Sequence, residues 1–117
     1  MPLVAQHFLC GLFNSFVVNY LVRLRVTTHV TTAIVERLPI PRREDAPRAF
    51  REIATLARVL GRRDDRAAVA RLNALAARLY QLTPAEFEYV LATFPLVPAG
   101  EREAALRAYA TETRRLA

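Results

Sequence analysis

The chain has 117 residues, 53% of them hydrophobic, and a formal net charge of +6 in which every basic side chain apart from two histidines is arginine. That length fits one domain with one modest core, and the apolar content excludes a disordered tail. A single cysteine, Cys10, excludes an internal disulfide and fits a reducing compartment, here the cytoplasm.

Charge is unevenly spread. Residues 1–22 carry none, residues 23–78 hold 13 Arg against 6 acids, and residues 79–117 hold 4 Arg against 5 acids. The positive field therefore lies in the middle of the chain, where it suits nucleic acid or another acidic surface. An arginine-rich, lysine-free composition also arises from base composition alone, so both explanations stand at this point.

The first element is a helix over residues 5–25, apolar on most sides. Its run "FLCGLFNSFVVNYLV" covers residues 8–22. As a helix that is about 22 Å, short of the roughly 30 Å hydrocarbon core, and Asn14, Ser15 and Asn19 interrupt it. No membrane span is expected. The amino terminus has neither a basic region nor a small-residue cleavage site, so it does not read as a signal peptide. Cys10 reads as a small core residue. His7 lies three residues before it, but no third group completes a nucleophilic set.

Periodicity is lost over "VTTHVTT", residues 26–32, which is β-branched apart from His29. Thr32 can cap a short turn, and Pro39 and Pro41 force extended chain. A short extended or β segment is thus expected near residues 26–42. Asp45 and Pro47 open the next helix, which ends near Leu60 with Gly61 beyond it. Phe50, Ile53, Ala57 and Leu60 share one face. Arg48, Arg51, Arg58 and Arg62 fall within an arc of about 80° on the other. Asp64 is the expected cap of a helix to about residue 81, with Val69, Leu72, Ala76 and Leu79 buried and Leu75 beside them. In "LTPAEF", Thr83 reads as N-cap, Pro84 as the first helical residue and Glu86 as the capping-box partner. That helix buries Phe87, Val90, Leu91 and Phe94. "PLVPAG" is a turn, and a last helix over about 101–115 buries Leu106, Tyr109 and Leu116. The fold class is mainly α, a small helical domain of about five helices. It divides into residues 1–43 and a helical bundle over 44–117.

Several chemistries find no support. Gly11, Gly61 and Gly100 are far apart, so no glycine-rich phosphate loop exists. His7 and His29 lie 22 residues apart without clustered ligands, so no metal site is expected. Asp64 and Asp65 are adjacent at a helix start, where capping explains them. No nucleophile, base and orienting group can be assembled.

Two stretches resemble a known family. "GLFNSFVVNYLVRLRVTTHVTTAIVERLPIP" resembles the carboxy-terminal specificity region of N6-adenine DNA methyltransferases, above all the fused restriction–modification enzymes of Type IIG. "LNALAARLYQLTPAEFEYVLATFPLV" resembles the end of the same proteins. The two blocks stand in the family's order and, with the helix between them, cover most of the chain. The family's Asn-Pro-Pro-aromatic motif and glycine-bearing S-adenosylmethionine motif are both missing, and such a catalytic domain would precede Met1. The resemblance therefore implies a DNA-recognition fragment that does not methylate alone and needs no cofactor of its own. It implies double-stranded DNA and a catalytic methyltransferase domain or subunit as partners.

On this reading Thr27, Thr28, His29, Thr31 and Thr32 hydrogen-bond to phosphate or base edges, while Arg23, Arg25, Arg42 and Arg43 supply charge. Two alternatives stay open. The threonines can simply build an extended turn around His29. The chain can also be a helical interaction subunit that docks on a separate methyltransferase or other partner.

Overall fold

A computed structural model describes residues 2–25 and 40–116. Six α-helices are found among them: α1 (Leu3–Phe13), α2 (Phe16–Arg25), α3 (Pro47–Leu60), α4 (Arg66–Leu79), α5 (Pro84–Ala92) and α6 (Ala99–Leu116). A 3-10 turn at Arg43–Asp45 precedes α3. The protein is mainly helical, and no strand occurs among the described residues. Residues 40–42 are irregular, and the rest of the expected extended segment, 26–39, lies outside the described residues together with Thr32 and Pro39.

The expected single helix over 5–25 is two helices. Short polar side chains at the break offer the backbone other hydrogen bonds. Asn14 Nδ2 donates to the Cys10 carbonyl at 2.8 Å, and Asn19 Nδ2 donates to the Phe13 and Ser15 carbonyls. Buried Ser15 serves both helices. Its hydroxyl donates to the Leu12 carbonyl at 2.6 Å and accepts from the Val18 N–H at 3.3 Å, as an N-cap does. The Phe16 N–H, orphaned at the start of α2, donates to Asn73 Oδ1 of α4 at 2.8 Å.

The break lets α1 and α2 lie against different partners. α1 packs on α3, α3 on α4, α4 on α6, and α2 on α5. One core cluster joins Phe8, Leu12, Val18, Phe50, Ile53, Leu72 and Leu75. A second joins Val17, Ala74, Ala77, Phe87, Leu91, Ala105 and Tyr109. α4 stands between them and contributes to both. Gly11 sets the approach of α1 to α3: a Cβ there would sit 2.8 Å from Ile53 Cγ2 and 3.1 Å from Leu72 Cδ1. Phe8 and Phe50 stack with ring centroids 4.2 Å apart.

Four expectations are corrected in detail. Cys10 is exposed, because Phe8, Gly11 and Leu12 take the buried face of α1. The residue before Pro47 is Ala46, which forms no side-chain cap, because Asp45 is drawn into the 3-10 turn and pairs with Arg42 at 3.4 Å. Asp65, not Asp64, caps α4, accepting from the Ala68 N–H at 3.1 Å. Val69 is exposed, because it lies in the first turn of α4 at the rim of a cleft beside Pro98 and Glu101. Gly61 does end α3, but with φ −71°, so its left-handed freedom is not used. The side chain of Leu116 lies outside the described set.

The Thr83 capping box forms as expected. The Glu86 N–H donates to Thr83 Oγ1 at 3.2 Å, and the Thr83 N–H donates to Glu86 Oε1 at 2.8 Å. Hydrogen bonds to the carboxylate from the Thr83 backbone N–H and then from its side chain hold the Glu86 carboxyl below its ordinary value of 4.5. A lowered folded pKa means stabilisation that is present above the unfolded value and lost as pH falls through the folded one. Glu86→Gln keeps the acceptor but cannot titrate. Thermal melts below pH 4.5 should therefore show a shallower acid dependence in the variant, and parallel curves would dismiss the box as the source. Asn73→Leu should leave the Phe16 N–H unpaired and cost about 1–3 kcal/mol, read as a lower urea midpoint at unchanged slope.

Candidate functional site

The expected DNA-facing residues fall into three groups. Thr27, Thr28, His29, Thr31 and Thr32 lie outside the described residues, and Arg25 ends α2 with its side chain also outside them. Arg23 is exposed near the end of α2, yet already engaged. Its Nη1 donates to the Thr93 carbonyl at 3.1 Å, and its guanidinium lies 4.8 Å from the centroid of the Phe94 ring. It thus satisfies a carbonyl at the end of α5, where positive charge also suits the helix dipole. Arg42 and Arg43 precede α3. Arg42 pairs with Asp45, and Arg43 lies 5.1 Å from the Phe50 ring centroid. Arg23 and Arg43 therefore stand over different rings, one on the α2–α5 seam and one at the α1–α3 contact.

The seam carries an aromatic group that periodicity does not reveal. Phe16 packs on Phe94 at 5.1 Å, and Tyr20 meets the exposed Tyr89 edge-on at 6.3 Å. Nothing in either helix alone marks Tyr20 and Tyr89 as neighbours. Only the pairing of α2 with α5 brings them together.

A second feature also escapes single-helix reasoning. Arg71 of α4 joins three helices. Its Nε donates to Glu112 Oε1 of α6 at 2.9 Å, and its Nη2 lies 3.3 Å from Glu52 Oε1 of α3. Glu52 also pairs with Arg48 at 3.4 Å. Glu112 is only 4% exposed, so its carboxylate is compensated in place rather than solvated.

Burial pushes the Tyr80 phenol up to about 12, which keeps it protonated and unable to act as a base. His7 is half-buried on α1, and the exposed Cys10 Sγ lies 3.6 Å from Asn14 Nδ2. No group of three His, Cys, Asp or Glu side chains gathers as metal ligands would among the described residues. Gly11 is buried within α1, Gly61 closes α3 and Gly100 lies in the first turn of α6. A cleft of about 560 Å³ is lined by residues of both signs, including Asp64, Arg66, Glu101 and Arg107. None of the helices is long and apolar enough to cross a membrane, among the described residues.

Comparison with protein-family models, with curated proteins and with solved structures finds no match to this chain.

Arg71→Ala should remove the countercharge of Glu112 and the tie to α3 together. The expected loss is about 2–3 kcal/mol, between an exposed and a fully buried pair, because the Arg71 side chain is 36% exposed. Arg71→Lys should retain part of it. A melting temperature unchanged by Arg71→Ala would show that Glu112 is held by its other contacts.

Proposed function

We propose that this chain is the carboxy-terminal DNA-recognition part of a site-specific adenine DNA methyltransferase of the restriction–modification type. It would position DNA for a catalytic domain or subunit whose motifs these residues lack, and so would act in the cytoplasm. One observation supports the reading above the rest. The two stretches that resemble that family are each other's structural partners. Phe16, just after "NS" of the first, donates to Asn73 of the second, and Arg23 of the first donates to Thr93 in "ATFP" of the second. Two motifs shared as an ordered pair would be expected to form one unit, and their mutual hydrogen bonds fit that expectation.

On this reading the segment between α2 and residue 40 touches DNA. Thr27, Thr28, His29, Thr31 and Thr32 supply short donors and acceptors for phosphate or base edges, and Arg23, Arg25, Arg42 and Arg43 supply charge. Arg23 uses one of its five donors on Thr93, which leaves others for a phosphate.

A second reading, a helical subunit docking on a separate protein, is favoured by exposed apolar side chains. Leu3 is 66% and Leu96 98% exposed. The two readings separate on salt. Duplex DNA affinity should fall steeply between 50 and 200 mM salt, and Arg23→Ala with Arg25→Ala should reduce the slope of log K against log salt by about 2. Unchanged affinity and slope would remove the segment from the DNA interface. Far-ultraviolet melts control for the lost contact to Thr93.

A further inference from the structure

We infer that the outer face of α3, with the mouth of the α3–α4 cleft, is a track for the phosphate backbone of double-stranded DNA, an inference that rests on the DNA-recognition reading. Arg48, Arg51 and Arg58 lie on one face of α3, and Arg62 follows in the turn after it. All four are exposed. Arg51, Arg58 and Arg62 have no carboxylate within ion-pair distance among the described residues. The single acid of α3, Glu52, lies at the edge of this stripe, where it pairs with Arg48 and with Arg71 of α4. An ordinary solvated face mixes both signs, whereas beyond Glu52 the only charged residues up to Arg62 are arginines.

The dimensions suit a polyanion. Arg48 to Arg58 spans about 15 Å of helix axis, over which one strand of a duplex presents about four phosphates. Beside the stripe lies a shallow cleft of about 410 Å³ lined by Arg48, Arg51, Glu52, Thr55 and Arg71. The guanidinium of Arg71 is already compensated there by Glu112 and Glu52, so the positive charge of the track is that of Arg51, Arg58 and Arg62. Planar guanidinium groups with several donors bind phosphate oxygens bidentately, which a point charge does not. These residues carry no base-reading arrangement, so the track contributes affinity and register rather than sequence choice.

The test is fluorescence anisotropy of a labelled 20-base-pair duplex across 50 to 200 mM KCl. The proteins are the unaltered chain, R51A/R58A/R62A, R51K/R58K/R62K and R23A/R25A. The alanine triple variant should lower the salt slope by about 2.7, so its affinity falls about 40-fold less than that of the parent over this range. The lysine triple variant should keep the slope within about one unit. All three positions are exposed, and circular dichroism should show an unchanged fold. If the alanine triple variant matches the parent while R23A/R25A lowers the slope, the track is refuted and the DNA-recognition reading survives. If the triple variant lowers the slope and R23A/R25A does not, the track stands and the segment after α2 is not at the interface. No duplex binding by the parent at 50 mM KCl overturns both. Equal affinity for poly-L-glutamate of the same charge overturns the assignment to nucleic acid.

Discussion

The hydrogen bond from the Phe16 N–H to the buried Asn73 side chain fixes where the first apolar segment bends. Without it, ending α1 at Phe13 and starting α2 at Phe16 would leave a donor stranded beside α4. With it, α1 enters the cluster with α3 through Phe8 and Leu12, while α2 reaches both clusters, Val18 in that one and Val17 in the cluster with α5 and α6. Asn73 in turn is held by its own Nδ2, which donates to the Val69 carbonyl at 3.1 Å. A single amide thus relates the amino-terminal helices to the rest of the bundle. Such groups define geometry more than they add stability, because burying them is favourable only when every donor and acceptor is matched.

Charge follows the same division. Among the described residues, arginines of the middle segment line the outside of α3 and stand around its start. Others are matched: Arg71 by two carboxylates, Arg78 by Thr113 Oγ1 at 2.9 Å and the Tyr109 ring, and the exposed Arg23 by a carbonyl and a ring. A guanidinium that packs flat on an aromatic ring still presents edge donors to solvent. Arg23 and Arg43 lie 4.8 and 5.1 Å from ring centroids and both are exposed, so their part in holding the fold does not remove them from a surface role.

Local signals were legible in the sequence where the chemistry is local. Thr83, Pro84 and Glu86 specify a helix start through neighbours three residues apart, and the start is where they place it. The opposed faces of α3 follow from period alone: Phe50 and Ile53 are buried, and Arg51 and Arg58 are exposed. What was not legible depends on partners distant in the chain. The apolar run over 8–22 reads as one helix because its break is stabilised from α4, 57 residues beyond Phe16. Cys10 reads as core because its neighbours are apolar, but α3 covers only the side of α1 that carries Phe8, Gly11 and Leu12. The choice between Asp64 and Asp65 as cap rests on backbone conformation that two adjacent aspartates leave open. For the candidate site, the arginine stripe shows in the sequence, but the Tyr20–Tyr89 contact and the Arg71 junction exist only once α2 meets α5 and α3, α4 and α6 converge.

α4 is buried on two sides, and this decides its composition. Leu72 and Leu75 face one cluster, while Ala74 and Ala77 face the other with no exposed surface. A helix enclosed on these two sides has no room there to absorb an added methylene. An enlargement at Ala74 must push on Phe87 and its neighbours, and one at Leu72 must push on Ile53 and the α1–α3 contact. α4 is therefore the segment in which drift is most restricted by shape alone. The outward faces of α3 and α5 are open to solvent and carry no such limit of shape.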